Sequence, residues 1–137
     1  MIEIKFRGKR TDNGEWVEGY YLMAAGMSFI SAFAVQEPIL VDPDTVGQFT
    51  CLHDKNGKDI YEHDIVNNGH TIIYSQGNSR RFESVGDVRF DTKNGCFVIN
   101  NTDGYNKRLT LKTIKLLSIE VIGNIHENNI KEIETND

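Results

Sequence analysis

Five residues near the middle of the chain carry side chains able to hold a metal ion or move a proton: Cys51, His53, Asp54, His63 and Asp64. Thiolate, imidazole and carboxylate are the ligands zinc prefers, so the set offers a candidate cluster. The spacing argues against it. Cys51-x-His53 lacks the separation of a zinc knuckle, and no second Cys or His pair follows. Cys51 and Cys96 are far apart in a chain without a secretory pattern; both read as free thiols acting as small buried or half-buried hydrophobes. His70 and His126 stand beside Gly and Asn and read as loop or strand-end residues. Glu62 and Asp64 offer a different chemistry, because residues two apart on a strand share a face and could act as an acid–base pair. No nucleophile, basic partner or phosphate loop accompanies them, so Asp64 reads instead as a corner residue whose carboxylate accepts local backbone N–H bonds. The expectation is a chain without catalytic residues, cofactor or metal.

The basic residues raise a second possibility. Lys5, Arg7 and Lys9 alternate on one strand face, Arg80-Arg81 form a second cluster, and Lys107-Arg108 a smaller third. With aromatic residues interleaved, such clusters build a nucleic-acid groove. The chain as a whole opposes this: 15 basic against 20 acidic residues give a net charge of −5 and a pI near 5.3. A general grip on a phosphate backbone is therefore disfavoured. The favoured reading makes Lys5, Arg7 and Lys9 the solvated face of an amphipathic strand, and leaves Lys5, Arg7, Lys9, Arg80 and Arg81 as the candidate nucleic-acid contacts. Trp16, Tyr20, Tyr61 and Phe90 read as core residues before ligand platforms.

The elements that must position these residues are short. Ile2, Ile4 and Phe6 alternate with polar residues, Asp12-Asn13-Gly14 supplies a turn, and Trp16 to Leu22 is rich in aromatic and β-branched residues, so the start of the chain reads as a β-hairpin. Residues 24–34 read as a loop with one short strand from Phe29 to Val35. Pro38 and Pro43 bracket an edge strand, Ile39 to Val41, followed by a tight turn or one helical turn. Asp54-Lys55-Asn56-Gly57-Lys58 is a turn from which Ile60 to Val66 runs into a strand. After Asn67-Asn68-Gly69 comes His70 to Tyr74, then a polar, irregular stretch from Gln76 to Glu83. Val85 to Phe90 and Cys96 to Ile99 form the clearest hairpin, turning at Thr92-Lys93-Asn94-Gly95. Ile114 to Ile119 fits helix or strand equally. Glu120 to Ile125 is a final strand in which Gly123 permits a bulge, Val121 and Ile125 closing a sheet against the N-terminal hairpin. From Glu127 onward the chain is too polar to build its own core and is expected to fray unless docked. A chain of 137 residues with 39% hydrophobic content has room for about one domain, and repeated short strands without a long amphipathic helix make it all-β, a barrel or sandwich.

Several blocks together resemble the YopX-type family of small phage and prophage proteins. They are Ile4-Lys5-Phe6-Arg7-Gly8-Lys9-Arg10 with Asn13-Gly14-Glu15-Trp16-Val17-Glu18-Gly19-Tyr20; Val46-Gly47-Gln48-Phe49-Thr50 with Asp54 through Val66; and Glu120-Val121-Ile122-Gly123-Asn124-Ile125-His126-Glu127-Asn128. They follow the family's order from end to end. The sequence departs from the family pattern at His63 and Cys51, where Gly is usual, at His53, where a basic residue is usual, and at Asn129, where Pro is often found. The resemblance implies a β-rich fold with an SH3-like barrel, a phage or prophage origin and no catalytic residues.

These readings combine into an N-terminal β subdomain (1–50) built on the hairpin, a partly open SH3-like β-barrel (51–125) and a polar tail (126–137). The expected protein is non-enzymatic and binds another protein: its own copies, as a homo-oligomer, or an unidentified phage or host protein. Nucleic-acid binding is the alternative. No apolar run approaches the ~18 residues of a membrane span, and the expected location is the cytoplasm of the bacterial host.

Overall fold

A computed structural model describes residues 2–32 and 37–128. The fold is β-dominated, with several antiparallel sheets, and the chain divides into two compact units, Met1–Cys51 and Leu52–Asp137.

In the first unit, β1 (Phe6–Lys9) and β2 (Trp16–Ala24) pair antiparallel from Phe6↔Gly19 to Lys9↔Trp16. The expected hairpin turn is closed by Gly14 N–H donating to the Arg10 carbonyl at 3.0 Å, with Gly14 at φ 73°. The first strand starts later than the alternation suggested. Ile2 and Ile4 are 74% and 56% exposed, and of the expected apolar face only Phe6 enters the strand, its ring 5.5 Å from that of Tyr21. Residues 24–32 are also more ordered than expected. β3 (Met27–Ala32) pairs with β2 across a two-residue turn at Ala25-Gly26, both at positive φ, which is the geometry that matches strand twist. The expected strand from Phe29 thus starts at Met27, while Phe33, Ala34 and Val35 lie outside the described residues.

β4 (Ile39–Val41) ends the order β4-β3-β2-β1 and returns to the chain after β1 through the bridge Arg10↔Val41. Thr11 N–H donates to the Leu40 carbonyl at 3.2 Å, and Asp42 N–H to that of Lys9 at 2.9 Å. The sheet therefore curls around fully buried Ile30 and Val41. The tight turn after β4 is one 3-10 turn, Pro43–Thr45, capped by the Asp42 carboxylate, which accepts the Asp44 N–H at 3.0 Å. β5 (Gly47–His53) lies on the other side of β1.

In the second unit, the turn after Asp54 leads to β6 (Asp59–Tyr61) and β7 (Asp64–Asn67). The run from Ile60 to Val66 is thus two strands, broken at Glu62-His63 because His63 takes φ 75°. β8 (His70–Ile73) and β9 (Ser79–Phe82) form a separate two-stranded ribbon, so the stretch expected to be irregular contains a strand. β10 (Val85–Asp91) and β11 (Cys96–Asn101) form the expected hairpin. After β12 (Lys107–Arg108) comes α1 (Leu111–Leu117), and β13 (Glu120–Asn124) ends the described chain. The sheet order is β12-β11-β10-β7-β13.

Periodicity left α1 undecided between helix and strand; its cap decides it. Thr110 Oγ1 accepts the Thr113 N–H at 3.1 Å, and Thr113 Oγ1 accepts the Thr110 N–H at 2.9 Å. This reciprocal box satisfies two donors at the helix start. Ile114 and Leu117 then face Ile60, Val66, Val88 and Ile99 in the core. β13 carries its bulge between Val121 and Gly123, and its hydrogen-bonded partner is β7, in place of the N-terminal hairpin. Val121 is buried, whereas Ile125 lies beyond the strand and is exposed. Asn68 and Asn101, both buried, exchange side-chain bonds of 2.8 and 3.1 Å between the end of β7 and the end of β11.

Gly19 shows how closely β2 and β3 approach, since a Cβ there would lie 2.1 Å from the Ser31 carbonyl oxygen. Gly19→Ala is expected to destabilise the protein by about 1–3 kcal/mol, read as a lower urea midpoint at an unchanged slope.

Candidate interaction surfaces

Asp54 and Asp64, singled out for chemistry, serve the backbone. Asp54, 6% exposed, accepts N–H bonds from Asn56 at 2.8 Å and Lys58 at 2.9 Å on one oxygen. Its other oxygen accepts the Val121 N–H at 2.9 Å. Burial alone would raise the Asp54 pKa; the N–H groups of Val121, Lys58 and Asn56 outweigh it and hold the carboxyl below its ordinary value. Asp64, 1% exposed, accepts the Tyr61 N–H at 2.8 Å and faces the Asn124 amide at 3.4 Å. That is the corner role expected of it. Glu62 and Asp64 lie either side of the left-handed His63, off the single strand that would have aligned them as a pair.

The other members of the supposed metal cluster disperse. Among the described residues no group of three or more His, Cys, Asp or Glu comes together in a metal-holding arrangement. His53 Nε2 lies 3.0 Å from Asp59 Oδ1, and the His63 ring meets the His126 ring edge-on at 5.0 Å. Cys51 is exposed, against expectation, and its thiol donates to the Glu3 carbonyl at 3.2 Å; Cys96 is half-buried. Cys51 and His63 share one property: both are left-handed, at φ 69° and 75°. Glycine is the residue that adopts this conformation without steric cost.

The candidate nucleic-acid contacts fall in both units. Lys5, Arg7 and Lys9 share a face, as period 2 requires, but they lie over aromatic rings. Lys5 Nζ is 4.5 Å from the Phe49 centroid, and the Arg7 guanidinium and Lys9 ammonium lie 4.7 and 5.4 Å from that of Trp16. All three are half-buried, so the face expected to be solvated is instead partly covered. Arg80 and Arg81 point to opposite faces of the ribbon. Arg80 stacks over Phe82 at 4.9 Å, and Arg81 pairs with Glu83 at 2.6 Å. Hydrogen bonds from Asn67 and Arg81 hold the Glu83 carboxyl below its ordinary value.

One surface escaped the sequence reading. The register sets Leu22 opposite Phe29 and Phe29 opposite Leu40, a row across β2, β3 and β4 on one face of the sheet. Leu22 and Leu40 are 40% and 39% exposed, Phe29 is half-buried, and Tyr20 and Met27 extend the patch. Tyr20 and Phe90, read as core, are 58% and 45% exposed, while Tyr61 is buried and Trp16 half-buried. The signal that could have revealed the row is the pair of aromatic-rich runs flanking Ala25-Gly26, a turn that lacks the usual Asn-Gly signature.

Comparison with known families returns the model described as YopX protein over residues 5–130. Among curated proteins nothing matches. No described helix is long and apolar enough to cross a membrane.

Two outcomes follow from this geometry. Because the Asp54 pKa is lowered on folding, its contribution to stability is full above the unfolded value of about 3.9 and is lost as pH falls through the folded value. The wild-type advantage over Asp54→Asn in denaturant unfolding is expected to be about 2 kcal/mol and constant above pH 5, then to shrink in acid. Cys51→Gly relieves a left-handed side chain and is expected to raise stability by about 0.5–1 kcal/mol in the same measurement.

Proposed function

The chain belongs to the YopX protein family, and from that premise we propose that it is a non-enzymatic binding module of phage or prophage origin whose target is another protein. The observation that carries this reading is the exposed apolar row Leu22–Phe29–Leu40 with Tyr20 and Met27 at its margins. Clustered apolar side chains on a sheet whose opposite face is already packed on Ile30 and Val41 have no role in the fold's own core. Contiguous apolar patches of this kind mark protein contact sites. Of the two carboxylates that could have formed an acid–base pair, Asp64 accepts the Tyr61 N–H, and Glu62 lies across the left-handed His63 from it. The reading places the protein in the bacterial cytoplasm, with the β-rich core taken as SH3-like.

A second reading, nucleic-acid binding, has one observation in its favour: the Arg80–Phe82–His70 stack, in which the His70 and Phe82 rings lie 5.5 Å apart and nearly parallel. Stacked rings and guanidinium planes accept bases. It ranks second because Arg81 is occupied by Glu83 and the chain is acidic. Mobility of single-stranded DNA and RNA at low salt separates the readings: the protein reading expects no shift.

The direct test uses Leu22→Glu and Leu40→Glu. As exposed positions they are expected to change stability by less than about 0.5 kcal/mol. A phage or host protein retained by the wild-type chain from infected-cell lysate is expected to be lost with either variant and kept with an Ile122→Glu control on the other unit. Equal retention by all the variants contradicts the reading.

A further inference from the structure

The ribbon β8–β9 has a feature that the apolar row does not explain. A two-stranded hairpin is at best marginally stable in water unless further strands or a helix support it, and β8 comes near α1. Here every residue from 71 to 81 is exposed, and Ile73 shows 76% of its surface. Exposed edges of soluble proteins are normally blunted with charges, prolines or bulges. β9 is blunted by Arg80 and Arg81. β8 is not: His70-Thr71-Ile72-Ile73 has no Lys, Arg, Asp, Glu or Pro, and no acidic residue occurs from Ile65 to Phe82.

The hydrogen-bond phase shows which groups β8 offers. Tyr74 N–H donates to the Asn78 carbonyl at 2.7 Å, so Tyr74 faces β9. Antiparallel ladders alternate, so Ile72 also turns its backbone groups to β9, while Thr71 and Ile73 turn theirs outward. We propose that the outer edge of β8 is a self-pairing edge, and that two copies of the chain join there as a two-fold antiparallel pair, making one four-stranded sheet from two ribbons. In the register this phase allows, Thr71 lies opposite Ile73 of the second copy and exchanges two N–H···O=C bonds with it, the two-fold repeats that pair, and Ile72 lies opposite its own copy. Charge selects the edge. Pairing through β9 would bring Arg80 or Arg81 against its own copy, whereas β8 sets only Thr, Ile and His side chains across the axis. A second copy is the occupant because a two-fold makes a single uncharged edge complementary to itself. This surface lies in the second unit and does not depend on the protein contact proposed for the first.

The test is a cysteine placed on the axis. In a Cys51→Ser, Cys96→Ser background, Ile72→Cys puts two thiols in a non-hydrogen-bonded pair with Cα atoms about 4.5 Å apart, within disulfide range. Mild oxidant is expected to convert this variant to a covalent dimer, while Ser79→Cys on β9 stays monomeric. Sedimentation of the unmodified chain is expected to show a dimer whose dissociation constant rises by at least about tenfold in Ile73→Lys, which charges the pairing edge. A wild-type chain that sediments as a monomer at several hundred micromolar overturns the proposal. So does cross-linking no better at 72 than at 79, or an unchanged dimer in Ile73→Lys. A monomer that shifts single-stranded DNA through Arg80 overturns it in favour of a nucleic-acid ribbon.

Discussion

The Asp54 carboxylate is the constraint on which the second unit depends. It closes its own turn through Asn56 and Lys58 and reaches Val121, 67 residues on, with its other oxygen. Beside it, Lys55 N–H donates to the Ile119 carbonyl at 2.9 Å, so the turn is sewn to the segment entering β13 by both side chain and backbone. A buried carboxylate is costly unless its oxygens are filled by donors. Here three N–H groups fill them, and the same charge that would oppose burial fixes where β13 must lie. Asp64 repeats the device one corner later, receiving Tyr61 N–H and the Asn124 amide.

Seen this way, the blocks that carry the family resemblance are structural pins. The block from Asp54 to Val66 and the block from Glu120 to Asn128 are distant in sequence and joined in space. Ile125 N–H donates to the His63 carbonyl at 3.0 Å, and the Asn128 side chain accepts the Asn124 N–H at 3.2 Å. The two blocks thus meet through backbone and side-chain hydrogen bonds that hold β13 beside the corner at His63. The exposed apolar row of the first unit and the exposed ribbon of the second lie outside this network.

How much of this was legible depended on whether a local signal matched the turn chemistry. The β10–β11 hairpin announced itself through Asn94-Gly95, and the β1–β2 turn through Asn13-Gly14. The β2–β3 hairpin did not, because Ala25 holds a left-handed conformation that its residue type does not advertise, and the Leu22–Phe29–Leu40 row was hidden with it. β9 was missed because Phe82 is its only apolar residue, so Ser79 to Phe82 shows no apolar alternation. The face shared by Lys5, Arg7 and Lys9 was readable from period 2 alone. Its stacking on Trp16 and Phe49 was not, since that depends on which residues the neighbouring strands bring opposite. The left-handed backbone at Cys51 and His63 was likewise hidden, because neither residue type signals it.

Amide hydrogen exchange at Val121 and Tyr61 examines the pinning account most directly, because each N–H donates to a buried carboxylate. If Asp54 and Asp64 hold the unit together, both amides exchange only with global unfolding, with protection equal to that of Val66 and Val88 in the central strands. Fast local exchange at Val121 or Tyr61 while Val66 and Val88 stay protected would show that the carboxylates decorate a fold secured by other means.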